Sequence, residues 1–123
     1  MAVHNRHLLL IHTSPFVGCD NEFNHWYDHV HLAEVLAVPG FVGAQRFVAS
    51  ETAGGRRRYA AIYEVESDDI TATMERFEKA RPTMSTTPAL DPSSVTIELL
   101  TAVTPMVTPG PPAPRRDTDG SPG

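Results

Sequence analysis

The stretch Phe23-Asn24-His25-Trp26-Tyr27-Asp28-His29-Val30-His31-Leu32-Ala33-Glu34 brings three of the chain's six histidines together with aromatic and acidic neighbours. Three kinds of chemistry fit these residue types. His25 and His29 stand at i and i+4, the spacing at which two imidazoles on one helix face hold a metal ion. The pair needs a third ligand, and Glu22 is the nearby candidate. A solvated polar face is the simpler reading, and no metal is expected. His31 points elsewhere, because two residues turn a helix by about 200°. It stands in a row with Phe23 and Tyr27 at i, i+4 and i+8, along the edge of an apolar stripe. There it is partly buried beside a phenol, with Asp28 and Glu34 each three residues away and able to bond its ring. An imidazole titrates near neutral pH, so it takes and returns a proton in one turnover. Haem ligation by one of these histidines has no attachment motif behind it, and no cofactor is expected. The catalytic candidates are therefore His31, Tyr27 and Asp28.

Several elements must position these groups. His7–Thr13 is a short apolar run ended by Ser14-Pro15, the pattern of a buried strand. Asp20 is placed to cap a helix, with Glu22 in the first turn, where the helix dipole favours an acid. Phe23, Trp26, Tyr27 and Val30 recur at helical spacing, and Val38-Pro39-Gly40 stops the helix. Phe41–Ser50 reads as a second strand and Gly54-Gly55 as a hairpin turn. Arg58–Glu66 alternates, with Tyr59, Ala61, Tyr63 and Val65 on one side. Ser67 is placed to cap a second helix striped by Ile70, Met74 and Phe77, which Arg81-Pro82 ends. Val95–Val103 alternates again. The order β-α-β-β-α-β is the ferredoxin-like arrangement of the α+β class. Two helices cover one face of its sheet, and a second copy facing the other face would complete the molecule as a homodimer.

Strand alternation adds binding candidates. His12 shares a face with Leu8 and Leu10, Arg46 with Val42, Ala44 and Val48, and Glu64 with Ala60 and Ile62. A polar side chain among apolar neighbours must be paired if buried. Arg46 either binds a substrate carboxylate or enolate, for which its planar fork is suited, or pairs with Glu64 on the neighbouring strand. Trp26 is a further lining candidate. Tyr59 and Tyr63 read as core aromatics.

Composition bounds the rest. The 123 residues are 41% apolar and 20% charged with a net charge of −5. That balance is globular, holds one domain, and lacks the basic surface of a nucleic-acid-binding module. The single cysteine, Cys19, leaves no disulfide framework. No apolar run reaches a membrane span and no signal sequence opens the chain, so a cytoplasmic protein is expected. Residues 1–105 form the domain, and 106–123, rich in proline and glycine, read as a disordered tail.

The motif Phe23-x-x-Trp26-Tyr27-x-x-x-His31-Leu32-x-Glu34-Val35-Leu36-x-Val38-Pro39-Gly40-Phe41 resembles the EthD-like branch of the dimeric α+β barrel superfamily. The match concentrates in residues 20–50, and the element order carries it to about residue 103. One departure is Ala33, where a proline is common. The resemblance implies a ferredoxin-like domain that pairs into a dimeric barrel, with a small-molecule pocket between sheet and first helix. It also implies a cofactor-independent dehydratase, cyclase or isomerase acting on a small cyclic or aromatic metabolite, with His31 as acid/base. A cofactor-free oxygenase is the enzymatic rival. A non-catalytic small-molecule carrier or accessory protein is the rival from another class.

Overall fold

The structure is a computed structural model that describes residues 5–52 and 54–111. Four strands form one antiparallel sheet: β1 (Arg6–Thr13), β2 (Phe41–Val48), β3 (Tyr59–Glu66) and β4 (Thr96–Thr101), in the order β2-β3-β1-β4. Helix α1 (Asp20–Trp26) runs through a π-helical turn (Tyr27–His31) into α2 (Leu32–Leu36), and α3 (Ile70–Ala80) follows β3. Both helical layers lie on one side of the sheet. The expected α+β, ferredoxin-like arrangement is what the chain adopts.

Alternation decides which residues meet the helices. Leu9 and Ile11 of β1 and Tyr59, Ala61, Tyr63 and Val65 of β3 are buried, and they pack with Phe23, Tyr27, Val35 and Phe77 from the helices. On the opposite face of the sheet, Leu8, Phe47 and Leu100 remain exposed. The turn into β2 shows why a glycine follows Pro39. Gly40 has φ of +102°, and a Cβ there would lie 3.1 Å from Thr73 Cγ2. Helix α3 thus packs directly against the turn, where a side chain would be both strained and crowded.

Several local expectations change. Asp20 is the first residue of the first helix rather than its cap, and Cys19 before it makes no side-chain capping bond. The Asp20 carboxylate is drawn away by Tyr59, whose hydroxyl donates to it at 2.7 Å. Helix α3 is capped by Asp69, whose side chain accepts from the Ala72 N–H at 3.1 Å, while Ser67 accepts from the Asp69 N–H. Regular helical spacing puts Val30 on the buried stripe. The π turn rotates it outward, and it is exposed. Met106–Pro111 form neither helix nor strand, and the rest of the expected tail lies outside the described residues.

Candidate active site

The π turn is the local feature that builds the site. Its defining bond runs from the Leu32 N–H to the Tyr27 carbonyl, five residues apart. A bond of that span stacks residues i and i+5, where a regular helix stacks i and i+4. His31 therefore lies on Trp26, with ring centroids 4.5 Å apart and planes 18° from parallel. The Tyr27 ring meets His31 edge-on at 5.0 Å. The same extra residue keeps the helix in phase with its core. At about 100° per residue, Val35 would stand about 80° from Tyr27 on an unbroken α-helix. Absorbing one residue brings it to within about 20°, and both are buried.

Glu34 orients the histidine. Its Oε1 lies 3.4 Å from His31 Nδ1, and its Oε2 accepts the Ser85 N–H at 2.8 Å. An ionised carboxylate only accepts, so Nδ1 carries the proton and the neutral ring presents Nε2 as its lone pair. Nε2 has no protein partner among the described residues. Burial pushes the His31 pKa below the ordinary value of 6.5; Glu34 opposes that shift and Arg81 adds to it. Glu34 is itself held below the ordinary carboxylate range. Partial burial acts the other way, but the Ser85 N–H and His31 outweigh it.

A cavity of about 180 Å³ opens beside His31. Ile11 and Thr13 of β1 form its floor, Trp26, Tyr27 and His31 one wall, and Phe77 and Arg81 another. The loop after α3 closes it with Met84, Ser85 and Leu90. Tyr27 is held protonated by burial, against weaker opposing contributions from Tyr63 and Arg46. Tyr63 behind it is likewise pushed up by burial and by the neighbouring phenol. Two donors here, Trp26 Nε1 and the Tyr63 hydroxyl, are buried with no acceptor among the described residues. Such groups cost stability, and in native proteins they gather where function overrides packing.

The structure therefore brings His31, Tyr27 and Trp26 together around one cavity, and it separates the other candidates from it. Asp28 does not reach His31. Its Oδ1 accepts from Arg46 at 2.8 Å, and Arg46 also donates to Asn24 Oδ1 at 2.9 Å. Arg46 lies over the Tyr27 ring, its guanidinium carbon 4.4 Å from the centroid, and does not line the cavity. It cannot meet Glu64 either. Arg46 pairs in register with Ala61 on the helix side, whereas Glu64 stands opposite Gly43 and Leu8 on the open face. His12 also points to the open face, in register with Ala60 and Thr96.

Glu34, Ser85, Met84 and Arg81 complete the site. Spacing alone offers Glu34 as one of two partners for His31. Ser85 lies 51 residues further along, and no local signal links it to Glu34. His25 and His29 have ring centroids 4.5 Å apart. Glu22, the third ligand that pair would need, accepts instead from the Thr87 hydroxyl at 3.2 Å. Among the described residues no group of three or more His, Cys, Asp or Glu is assembled to hold a metal, and no helix is long and apolar enough to cross a membrane.

Comparison with known proteins agrees with this architecture. An EthD family protein from Bacillus halodurans superposes with a TM-score of 0.51 at 10% identity, covering 79% of this chain and 99% of its own. The two share the ferredoxin-like α+β fold. A protein from Bacillus cereus, provisionally described as an antibiotic biosynthesis monooxygenase, superposes with a TM-score of 0.58 at 10% identity, covering 85% of this chain and 99% of its own. A third structure, a point mutant of MhuD with two manganese protoporphyrin IX bound per active site, gives 0.52 at 19% identity, covering 82% of this chain and 99% of its own. No family model and no curated protein matches the sequence. At these identities the likeness is one of fold.

Proposed function

We propose that the chain is a small cofactor-independent enzyme in which His31 moves a proton on a small cyclic or aromatic metabolite, giving dehydration, cyclisation or isomerisation. The observation that carries this reading is the Glu34–His31 pair beside the cavity. It fixes the tautomer and leaves Nε2 as the free base, in the neutral form that burial favours. Nε2 removes a proton from carbon next to a carbonyl, and the Glu34 carboxylate stabilises the imidazolium that results. The imidazolium then returns its proton to carbon, which is isomerisation, or to a departing hydroxyl, which is dehydration. The Tyr27 phenol, kept protonated, donates to the oxygen on which charge develops.

Replacing the histidine tests the reading. In His31→Gln, turnover falls by about 10²–10⁴, while ligand affinity changes little. A panel of small phenols, lactones and cyclic ketones is first screened by melting shift, where ligand at about 100 times its Kd stabilises by about 2.7 kcal/mol. Unchanged turnover in the variant would sink the catalytic role and favour a non-catalytic carrier or accessory protein. The description of the Bacillus cereus neighbour favours oxygenation as the rival chemistry, and turnover under anaerobic conditions separates the two. The volume of the cavity speaks against a porphyrin occupant of the MhuD kind.

The protein works as a cytoplasmic homodimer in this reading. Leu8, Val42, Phe47 and Leu100 form an exposed apolar set on or beside the sheet face opposite the helices. The segment Thr104–Val107 borders the Leu8 and Leu100 side of that face. A sheet with one covered face reaches full burial when a second copy covers the other.

A further inference from the structure

We infer that the ligand of this cavity is a single-ring ketone or phenol, and that Met84 sets this size limit; the inference rests on His31 acting in the cavity as proposed above. The space is about 180 Å³. An apolar cavity of about 150 Å³ accepts benzene. This one therefore takes a six-membered ring with a short substituent, and a fused second ring meets the wall. The walls select the same class. Ile11, Phe77, Leu90 and Ile97 are apolar, while Thr13, Tyr27, His31, Arg81, Ser85 and Thr86 bring polar groups to the same lining. A flat apolar ligand carrying one or two oxygens matches that lining, with its acidic hydrogen toward His31 Nε2.

The loop after α3 can impose a limit because it is pinned. Ser85 is held by its N–H to Glu34 at 2.8 Å. The Phe16 N–H donates to the Ala89 carbonyl at 2.8 Å, and the Asp91 N–H to the Ser14 carbonyl at 3.1 Å. Arg56 and Asp91 form an ion pair at 2.8 Å across the same junction. Most large lining residues are fixed by the fold: Ile11 lies in β1, Phe77 in α3, and Leu90 forms a bridge to Pro15. Met84 follows the short 3-10 turn Arg81–Thr83 and is half-buried. Its unbranched, adaptable side chain packs against the margin of the core, so the melting temperature of a shortened variant reads what that packing contributes.

Calorimetry with 2-hydroxyacetophenone and its benzo-fused homologue 1-hydroxy-2-acetonaphthone tests the limit, with the His31 ring signals followed by NMR. The wild type is expected to bind the one-ring compound at least about tenfold more tightly. Met84→Ala, checked by its melting temperature, brings the two affinities to within about twofold, while the volume-conserving Met84→Leu keeps the wild-type preference. Equal binding of both compounds by the wild type, with the His31 signals still moving, overturns the size limit and leaves the functional reading intact. A folded Met84→Ala that keeps the wild-type ratio overturns the role of Met84. If neither compound binds, or if the bound one-ring compound leaves the His31 signals unmoved, the functional reading and the inference are overturned together.

Discussion

His31 is held by three contacts from three directions. Trp26 stacks on one face, Tyr27 meets the ring edge-on, and the Glu34 carboxylate holds Nδ1. Desolvation favours the neutral ring more than the carboxylate favours its protonation, so the folded pKa lies below 6.5. The unfolded chain then binds the proton more readily than the native one. His31 contributes its full stability above about pH 6.5 and loses it as pH falls through the window below that value. Activity that needs the free base persists to a lower pH than an unperturbed histidine would allow. Glu34→Gln removes the charge that opposes the shift, so it moves the His31 titration further down. Trp26, the only tryptophan, stacks on the titrating ring, and its fluorescence should follow the same transition as the NMR signals. An upward shift in Glu34→Gln would show that Glu34 is not the group that holds the proton. Asp28 at equal sequence distance is no substitute, because Arg46 already engages it. That pair is half-exposed on the Asp28 side, so its value lies more in fixing Arg46 over Tyr27 than in stability.

The π turn places one extra residue between two core registers. Tyr27 and Val35 are both buried across it, and Val30 faces outward. Deleting Val30 leaves Tyr27 and Val35 seven residues apart, in phase on a regular α-helix. The deletion variant should fold with a melting temperature at or above the wild type, because a poorly bonded turn has been removed. Turnover should persist, because the deletion leaves Trp26 and His31 four residues apart, the spacing that a regular helix stacks. Calorimetric melting and an activity assay read the two effects separately. A variant that fails to fold would show that the turn serves packing, not the site. The loop after α3 belongs to the same scale. Its backbone closes the cavity through Ser85, so Glu34 links the orientation of the histidine to the position of the wall.

For the whole molecule, one face of the sheet is buried by helices and the other carries exposed Leu8, Phe47 and Leu100. Phe47→Asp places a charge on the β2 edge strand of the proposed dimer interface, where burying it unpaired costs several times the stability of a surface contact. Sedimentation or light scattering should then report a monomer where the wild type is a dimer, with far-UV dichroism unchanged. A wild type that is monomeric at the same concentration would remove the open face as a self-association surface.

Much of this protein follows from short-range pattern. Period-two and period-3.6 alternation mark all four strands and both helical segments, because burial of one face is a local demand on sequence. The pairing of Tyr27 with His31, and the burial of Tyr59, Ala61, Tyr63 and Val65, belong to the same local information. The tertiary structure alone decides what depends on partners far apart in the chain. Strand register puts Arg46 and Glu64 on opposite faces of the sheet. Arg46 claims Asp28 across 18 residues, which leaves His31 to Glu34. The i to i+5 bond that stacks His31 on Trp26 has no signature in residue type, since it arises from fitting one helix to two packed registers. Ser85 and Met84 reach the cavity only because the loop is pinned there, and such pairings depend on where the backbone closes rather than on which residues are adjacent.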